Sequence, residues 1–247
     1  MFFGFGKRKE KGRAAPRFEN VHAILCRSMA LYPYFSDQQQ QVICQFVNGF
    51  YDGKTVLVSP EIEVEDHETL LVVIAANAAL VGAAQQTNFF SSVKWLHICA
   101  DDLPVDGDAY ESSTVRLCAW PCLEESFEIL EGHNLVVHEF AHVLDHLFGL
   151  SGSTPALCAG YENYLDNIEK QQDDAIADCA TPPGERGDTL YGYDDASFHP
   201  PEEYFAVLSE LFFTNPSAIL NDSPELYRDL VAIYGLDMAS HLRDTNA

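Results

Sequence analysis

The sequence predicts an α+β fold that is mainly helical and holds a few strands in the middle of the chain. Three observations carry this prediction. Apolar residues recur at helical spacing in much of the chain, short β-prone stretches lie in its middle, and no linker divides the body. We therefore expect residues 18–247 to form a single domain after a basic, disordered tail at residues 1–17.

The helices and strands follow from local patterns, taken in chain order. Helices are predicted over residues 36–53, 70–84, 134–148, 161–180 and 201–213 and from residue 223 onward. Extended segments are predicted over residues 54–65, 93–100 and 113–120, with an acidic loop at 101–108. The helix at 70–84 is interrupted only by Asn77 and Gly82, and it is too short to cross a bilayer. We expect it to be buried.

Charge is distributed unevenly along the chain. There are 38 acidic and 14 basic residues. Six of the basic residues but only one acidic residue, Glu10, lie in the first 17 positions, so residues 18–247 carry a formal charge of −29. Such an acidic body repels nucleic-acid phosphates and anionic lipid, so we expect no nucleic-acid binding and no stable membrane insertion. The charge fits either solubility alone or attraction of cationic substrates.

The cysteine pattern favours a cytoplasmic protein. The seven cysteines are irregularly spaced, form no Cys-x-x-Cys pair, and in several cases lie within apolar stretches. A secreted disulfide framework has an even and more regular set. We interpret these residues as buried, reduced thiols.

The strongest functional signal is the run His138-Glu139-Phe140-Ala141-His142 in a predicted helix. Residues four apart differ by about 40° around a helix and about 6 Å along it, so both imidazoles can reach one zinc ion. Glu139 then lies beside the open coordination position of the metal. Because apolar residues surround the motif, we expect it in a buried, amphipathic helix.

A catalytic zinc ion needs a third protein ligand, and the residues leave two main candidates. Glu203 lies on an apolar helix, where a buried acid needs a partner that a metal can supply. Glu162 opens a Glu-x-x-x-Asp arrangement, similar to that of thermolysin-type enzymes, twenty residues after His142. Asp145 is expected either to accept the free imidazole N–H of a ligand or to lie in solvent.

Two motifs together resemble the Mlc titration factor A family of zinc peptidases, gluzincins whose catalytic core is similar to that of anthrax lethal factor. They are HEFAHVLD at His138–Asp145 and PEEYFAVLSELFF at Pro201–Phe213. The resemblance implies a compact zincin-like fold in which a small mixed sheet lies beside the metal-binding helix and its edge holds an extended peptide. It also implies one zinc ion per chain, held by His138, His142 and Glu203.

The activity implied by the resemblance is zinc-dependent hydrolysis of peptide bonds, of which aminopeptidase action is one form. Glu139 would be the general base. The family also has a tyrosine shortly before its glutamate ligand that stabilises the oxyanion. Ala196 stands at the matching position here, and Tyr193 is predicted to take this role if residues 194–201 contain an insertion.

Two other functions are compatible with the histidine motif. Peptide deformylases add an upstream cysteine ligand, for which Cys118 or Cys122 would serve, but their glycine-rich companion motif is missing. The resembling family also includes a protein that captures the transcriptional repressor Mlc. A regulatory binding protein is therefore the alternative to a peptidase, and a repressor is a candidate partner beside the peptide substrate.

Overall fold

The computed structural model describes seven stretches of the chain: residues 16–62, 67–82, 89–100, 106–110, 112–130, 132–151 and 201–243. The predicted helix at 161–180 lies outside these stretches, as do residues 1–15 of the predicted tail.

In these stretches helices dominate and four short strands form one sheet. The α-helices are α1 (Val21–Ser28), α2 (Asp37–Phe50), α3 (His67–Gly82), α4 (Ala119–Phe127), α5 (Leu135–Ser151), α6 (Pro201–Thr214), α7 (Pro216–Asp222), α8 (Pro224–Tyr234) and α9 (Met238–Arg243). Two short 3-10 helices are Tyr32–Tyr34 and Phe89–Ser92. The strands are β1 (Thr55–Val58), β2 (Trp95–Cys99), β3 (Gly107–Tyr110) and β4 (Thr114–Cys118).

The sheet is mixed and has the strand order β1-β2-β4-β3. β1, β2 and β4 run parallel, whereas β3 pairs antiparallel with β4 and forms one edge. Leu96 on β2 is in register with Val115 on β4, and Val115 is in register with Ala109 on β3. Leu96 and Val115 are fully buried, so this face of the sheet points into the core. The predicted α+β fold with a small mixed sheet is confirmed.

Helix α3 lies at the centre of the molecule and packs against α1, α2, α4 and α5. Its residues from Val72 to Gly82 are all buried, as the apolar stretch predicts. Gly82 allows close packing here, since a Cβ atom at this position would lie 2.6 Å from Cε2 of Phe90. The Phe90 ring in turn contacts the ring of Phe140 on α5, at a centroid distance of 4.7 Å. The aromatic core thus anchors α5.

Several local predictions differ from the structure. In the extended segment predicted at 54–65, only Thr55–Val58 forms a strand, and the helix predicted over 36–53 ends at Phe50. The loop predicted at 101–108 ends early, because Gly107–Tyr110 pairs with β4 as an edge strand although it has no alternating apolar pattern. The strand predicted at 113–120 stops at Cys118, and α4 begins at Ala119. Helix α5 continues past Gly149 to Ser151. By contrast, the capping box of Ser36 and Gln39 opens α2 as predicted.

No helix in the described residues has both the length and the apolar character to cross a membrane. Of the five cysteines in these residues, Cys118 and Cys122 are buried as predicted, whereas Cys44 and Cys99 are half-buried and Cys26 is exposed, so the prediction that the cysteines are buried is wrong for these three.

Candidate metal centre

Helices α5 and α6 pack against each other and bring the histidine motif next to the acidic end of α6. On α5, Val137 and Phe140 are buried in the core, which turns His138 and His142 to the other side of the helix. On α6, Phe205 is fully buried and holds the helix against the core. The first turn of α6 therefore presents Glu203 to the two imidazoles.

The ligand atoms of His138, His142 and Glu203 all lie within 4.8 Å of one another. The two Nε2 atoms are 3.2 Å apart. The Glu203 carboxylate has Oε2 at 3.5 Å from Nε2 of His138 and Oε1 at 3.6 Å from Nε2 of His142. Bonds of 2.0–2.1 Å in a tetrahedral zinc site separate the ligand atoms by about 3.3 Å. The three side chains can therefore hold a metal ion of this size with little movement.

Glu210 orients the His138 ring through Nδ1, the ring nitrogen that faces away from Glu203. It lies two turns after Glu203 on α6, and its Oε2 is 3.0 Å from Nδ1 of His138. Its other oxygen, Oε1, accepts a hydrogen bond of 2.9 Å from the backbone N–H of Asn134. Because Nδ1–H of His138 donates to the Glu210 carboxylate, Nε2 is the ring nitrogen that faces Glu203, and it is the atom that would bind a metal in place of its proton.

Asp145 is the carboxylate predicted from the sequence either to accept the free imidazole N–H of a metal ligand or to lie in solvent. Asp145 lines the same cleft, but the carboxylate that receives the Nδ1–H of His138 is Glu210. The signal that could have indicated Glu210 is its spacing of seven residues from Glu203, which puts both acids on one face of a helix.

Burial and neighbouring charged groups shift the pKa values of His138 and Glu139. Burial lowers the pKa of His138, but its hydrogen bonds with Glu203 and Glu210 outweigh this effect and raise the value to about 10. Burial raises the pKa of Glu139 to about 8, and the charges of Asp108, Glu203 and Glu210 act in the same direction while His138 opposes them. Glu139 can therefore both accept and release a proton near neutral pH.

The centre opens into a cleft of about 750 Å³ between α5, α6 and β3. Seven carboxylates line it, namely Asp106, Asp108, Glu125, Glu139, Asp145, Glu203 and Glu210. The lining residues, all from the described part of the chain, include no lysine or arginine. In this described lining the seven carboxylates outnumber the four histidines, so the cleft favours positively charged groups.

Strand β3 forms one wall of the cleft directly beside Glu139. A Cβ atom at Gly107 would lie 2.8 Å from Oε1 of Glu139 and 2.9 Å from Cδ1 of Leu135, so only glycine fits here without a shift. The next residue, Asp108, also lines the cleft and forms an ion pair with Arg116 across the β3–β4 ladder. The edge strand thus runs close to the carboxylate next to the candidate metal centre.

Other candidates from the sequence have different outcomes. Tyr193 and Glu162 lie outside the described residues. Cys118 and Cys122 are buried, and burial raises the pKa of the Cys122 thiol. Among the described residues, the one group of three or more His, Cys, Asp or Glu side chains that is close enough to share an ion consists of His138, His142 and Glu203. A cysteine ligand of the deformylase kind is therefore not part of this group.

Comparison with known proteins identifies the family. The model of the glucose-regulated metallo-peptidase M90 family matches residues 97–235, more than half of the chain. The chain belongs to this family. The M90 match spans β2 through α8 and contains both α5 and α6, so it includes the two histidines and the glutamate of the candidate centre.

Curated relatives agree with the M90 assignment. The protein is 32% identical over 146 residues to Mlc titration factor A of Yersinia enterocolitica serotype O:8 / biotype 1B. It is 33% identical over 142 residues to Mlc titration factor A of Pectobacterium atrosepticum. Each alignment covers 56% of this chain and 50% of the relative, so the chain spans about half the length of the curated relatives it matches. The resemblance inferred from the motifs is confirmed.

Proposed function

We propose that this M90-family protein is a zinc-dependent peptidase that hydrolyses peptide bonds in the cleft between α5, α6 and β3. The observation that carries the proposal is the grouping of His138, His142 and Glu203 within 4.8 Å, next to the buried Glu139. Two imidazoles and one carboxylate are a typical donor set of catalytic zinc sites, in which the fourth position stays open. We infer that His138, His142 and Glu203 hold one zinc ion per chain.

When bound, zinc supplies Lewis-acid chemistry, since it lowers the pKa of a water molecule and polarises a peptide carbonyl. Glu139 acts as the general base that accepts a proton from the attacking water. It then returns this proton to the amine of the leaving peptide. Glu210 keeps the proton of His138 on Nδ1 throughout.

The substrate lies along β3 in extended form. β3 pairs with β4 on its inner side, and no other strand of the described residues pairs with its outer side, where a substrate strand could add. Gly107 and Asp108 on β3 line the cleft, so a peptide paired with this edge passes directly over Glu139. Backbone pairing binds many sequences, and side-chain pockets then give the selectivity.

The finer assignments of this proposal concern the oxyanion, the type of cleavage and the location. We infer that Tyr193 donates a hydrogen bond to the developing oxyanion. Aminopeptidase action is supported by the negative cleft, which attracts a free α-ammonium group. The odd number and irregular spacing of the seven cysteines support a cytoplasmic location.

A second candidate function is regulatory binding of a repressor protein. It is supported by the name of the relatives, Mlc titration factor A. Binding alone has no need for a general base, so the presence of Glu139 in the same cleft as the three grouped residues favours catalysis as the main role. The two functions are compatible in one molecule.

The test separates metal binding from catalysis. Metal content of the purified protein is measured by mass spectrometry, and hydrolysis of a peptide library is measured for wild type and Glu139→Gln. We expect about one zinc ion per chain in both, with hydrolysis reduced about 10²–10⁴-fold in the variant. Equal activity of Glu139→Gln would remove Glu139 from the mechanism. A wild type that holds no zinc after zinc is added would reject the peptidase and favour the binding protein.

A further inference from the structure

The centre of α3 contains an unexpected polar side chain. Asn77 is 2% exposed and is the one polar residue between Leu70 and Gly82. A buried amide must find partners for its oxygen and nitrogen, and even with all partners it gains little over an apolar residue of the same shape. The position of Asn77 therefore calls for a role other than core packing.

Asn77 connects three helices through hydrogen bonds. Its Oδ1 accepts from Nδ2 of Asn134, which directly precedes α5, at 2.9 Å. Its own Nδ2 donates to Oγ of Ser126 on α4 at 2.8 Å and to the backbone oxygen of Val73 at 3.0 Å. Ser126 in turn donates to the backbone oxygen of Cys122. The amide is fully engaged, and its carbonyl fixes the side-chain amide of Asn134.

Asn134 links Asn77 to the candidate metal centre through further hydrogen bonds. Its Oδ1 accepts from the backbone N–H of Val137 at 3.1 Å and so caps α5. Its backbone N–H donates to Oε1 of Glu210, whose Oε2 is bonded to Nδ1 of His138. Asn134 is thus held by Asn77 on one side and holds Glu210 on the other. Three hydrogen bonds separate Asn77 from His138.

We propose that Asn77 is a positioning residue for the metal centre, acting through Asn134 and Glu210 to keep Nε2 of His138 aimed at the ion. The inference rests on the proposed zinc site. Glu210 divides its two oxygens between Asn134 and His138, so any shift of the Asn134 backbone moves the carboxylate that orients the imidazole. Asn77 prevents that shift by fixing the side chain of Asn134.

A purely structural role of Asn77 makes a different prediction. If the amide only joins α3 to α4 and α5, its loss lowers stability and leaves zinc affinity unchanged. The variant Asn134→Ser separates the two roles, because serine keeps a capping oxygen for α5 and removes the amide that reaches Asn77. Leu80→Ala is the matched control. Leu80 is buried on the same helix but lines a separate cavity with Phe35 and Tyr234.

The experiment measures the dissociation constant of Zn²⁺ for the full chain by competition with a chromophoric chelator, together with thermal unfolding of the metal-free protein. We expect Asn77→Leu and Asn134→Ser each to weaken Zn²⁺ binding about tenfold, the lower end for residues that support a metal ligand. Leu80→Ala should lower the unfolding temperature without changing the dissociation constant. If Asn77→Leu does not fold, Asn134→Ser decides the question.

A double variant tests whether the residues act in sequence. If Asn77 works through Glu210, Asn77→Leu combined with Glu210→Gln weakens Zn²⁺ binding no further than Glu210→Gln alone. Unchanged affinity in Asn77→Leu and Asn134→Ser, with zinc bound normally by the wild type, would overturn this inference and leave the proposed function intact. A wild type that binds no Zn²⁺ would overturn both.

Discussion

The two sides of α5 differ in chemistry, since one packs in the apolar core and the other carries the charged groups of the cleft. Towards the core, Phe140 is fully buried, and its ring lies 4.7 Å from that of Phe90 and 5.6 Å from that of Phe50. Towards the cleft, the helix carries His138 and Glu139 among carboxylates from β3, α4 and α6. Burial of apolar surface on the core side stabilises the fold, whereas the carboxylates on the cleft side repel one another.

The comparison indicates that the core side maintains the geometry of the cleft side. The carboxylates around Glu139 repel one another, which contributes to its raised pKa and costs stability in the metal-free protein. Aromatic packing behind α5 must offset this cost. A bound cation would relieve the repulsion directly, so the core and the metal are expected to stabilise the fold independently.

The largest change in the free energy of unfolding is expected from a substitution on the core side of α5. Phe140→Ala should lower the free energy of unfolding by about 3–5 kcal/mol, because it leaves a cavity between the rings of Phe50 and Phe90. Urea denaturation of the metal-free protein measures this loss. Phe127→Ala is the control, since Phe127 is 51% exposed and should cost no more than about 0.5 kcal/mol. Similar losses in both variants would contradict the assigned role of the aromatic core.

The metal is expected to stabilise the cleft side by a smaller amount. Zinc at a hundred times its dissociation constant should raise the free energy of unfolding by about 2.7 kcal/mol, provided that it binds only the folded chain. The effect should disappear in Glu203→Ala, which lacks one of the three grouped ligands. Denaturant titrations with zinc and with a chelator give the difference. Stabilisation that persists in Glu203→Ala would mean that zinc binds elsewhere.

Gly107→Ala tests how closely β3 approaches the cleft side of α5. Its Cβ would lie 2.8 Å from Oε1 of Glu139, so either the strand or the carboxylate must move. A displacement of about 1 Å can lower catalysis about a hundredfold, and we expect kcat/KM to fall by about this factor. Zinc content should stay at the wild-type level, because none of the three grouped ligands is touched. Full activity would mean that the reaction does not depend on the close approach of β3 to Glu139.

The sequence could predict the features that depend on local spacing. The four-residue interval puts His138 and His142 on one side of α5, and the apolar pattern of α6 favoured Glu203 as their partner before the family resemblance supported it. Asn134 could likewise be predicted to cap α5, and its side chain accepts from Val137 as a cap does. The histidine pair and the cap follow from positions along α5, whereas Glu203 lies on α6 and was favoured only because an acid on an apolar helix needs a partner.

Features that depend on packing between distant segments could not be predicted. Glu210 is 72 residues from His138, and their contact depends on how α6 lies against α5. β3 has no strand pattern of its own, and its position follows from pairing with β4. The same holds for Asn77, whose side chain looks like an interruption of an apolar helix until Asn134 is placed beside it.

The smallest effect is expected at the rim of the cleft, where Arg116 pairs with Asp108. Nε of Arg116 donates to Oδ1 of Asp108 at 2.6 Å, but the two side chains are 45% and 34% exposed. Exposed ion pairs contribute about 0–1 kcal/mol, so Arg116→Gln should lower the free energy of unfolding by about that amount at low salt. Denaturation at low and high ionic strength checks the cause, because screening should remove most of the difference between variant and wild type. A difference that stays constant with salt would mean that Arg116 stabilises β3 by packing along the strand pair, and charge would then matter less at the rim than in the interior of the cleft.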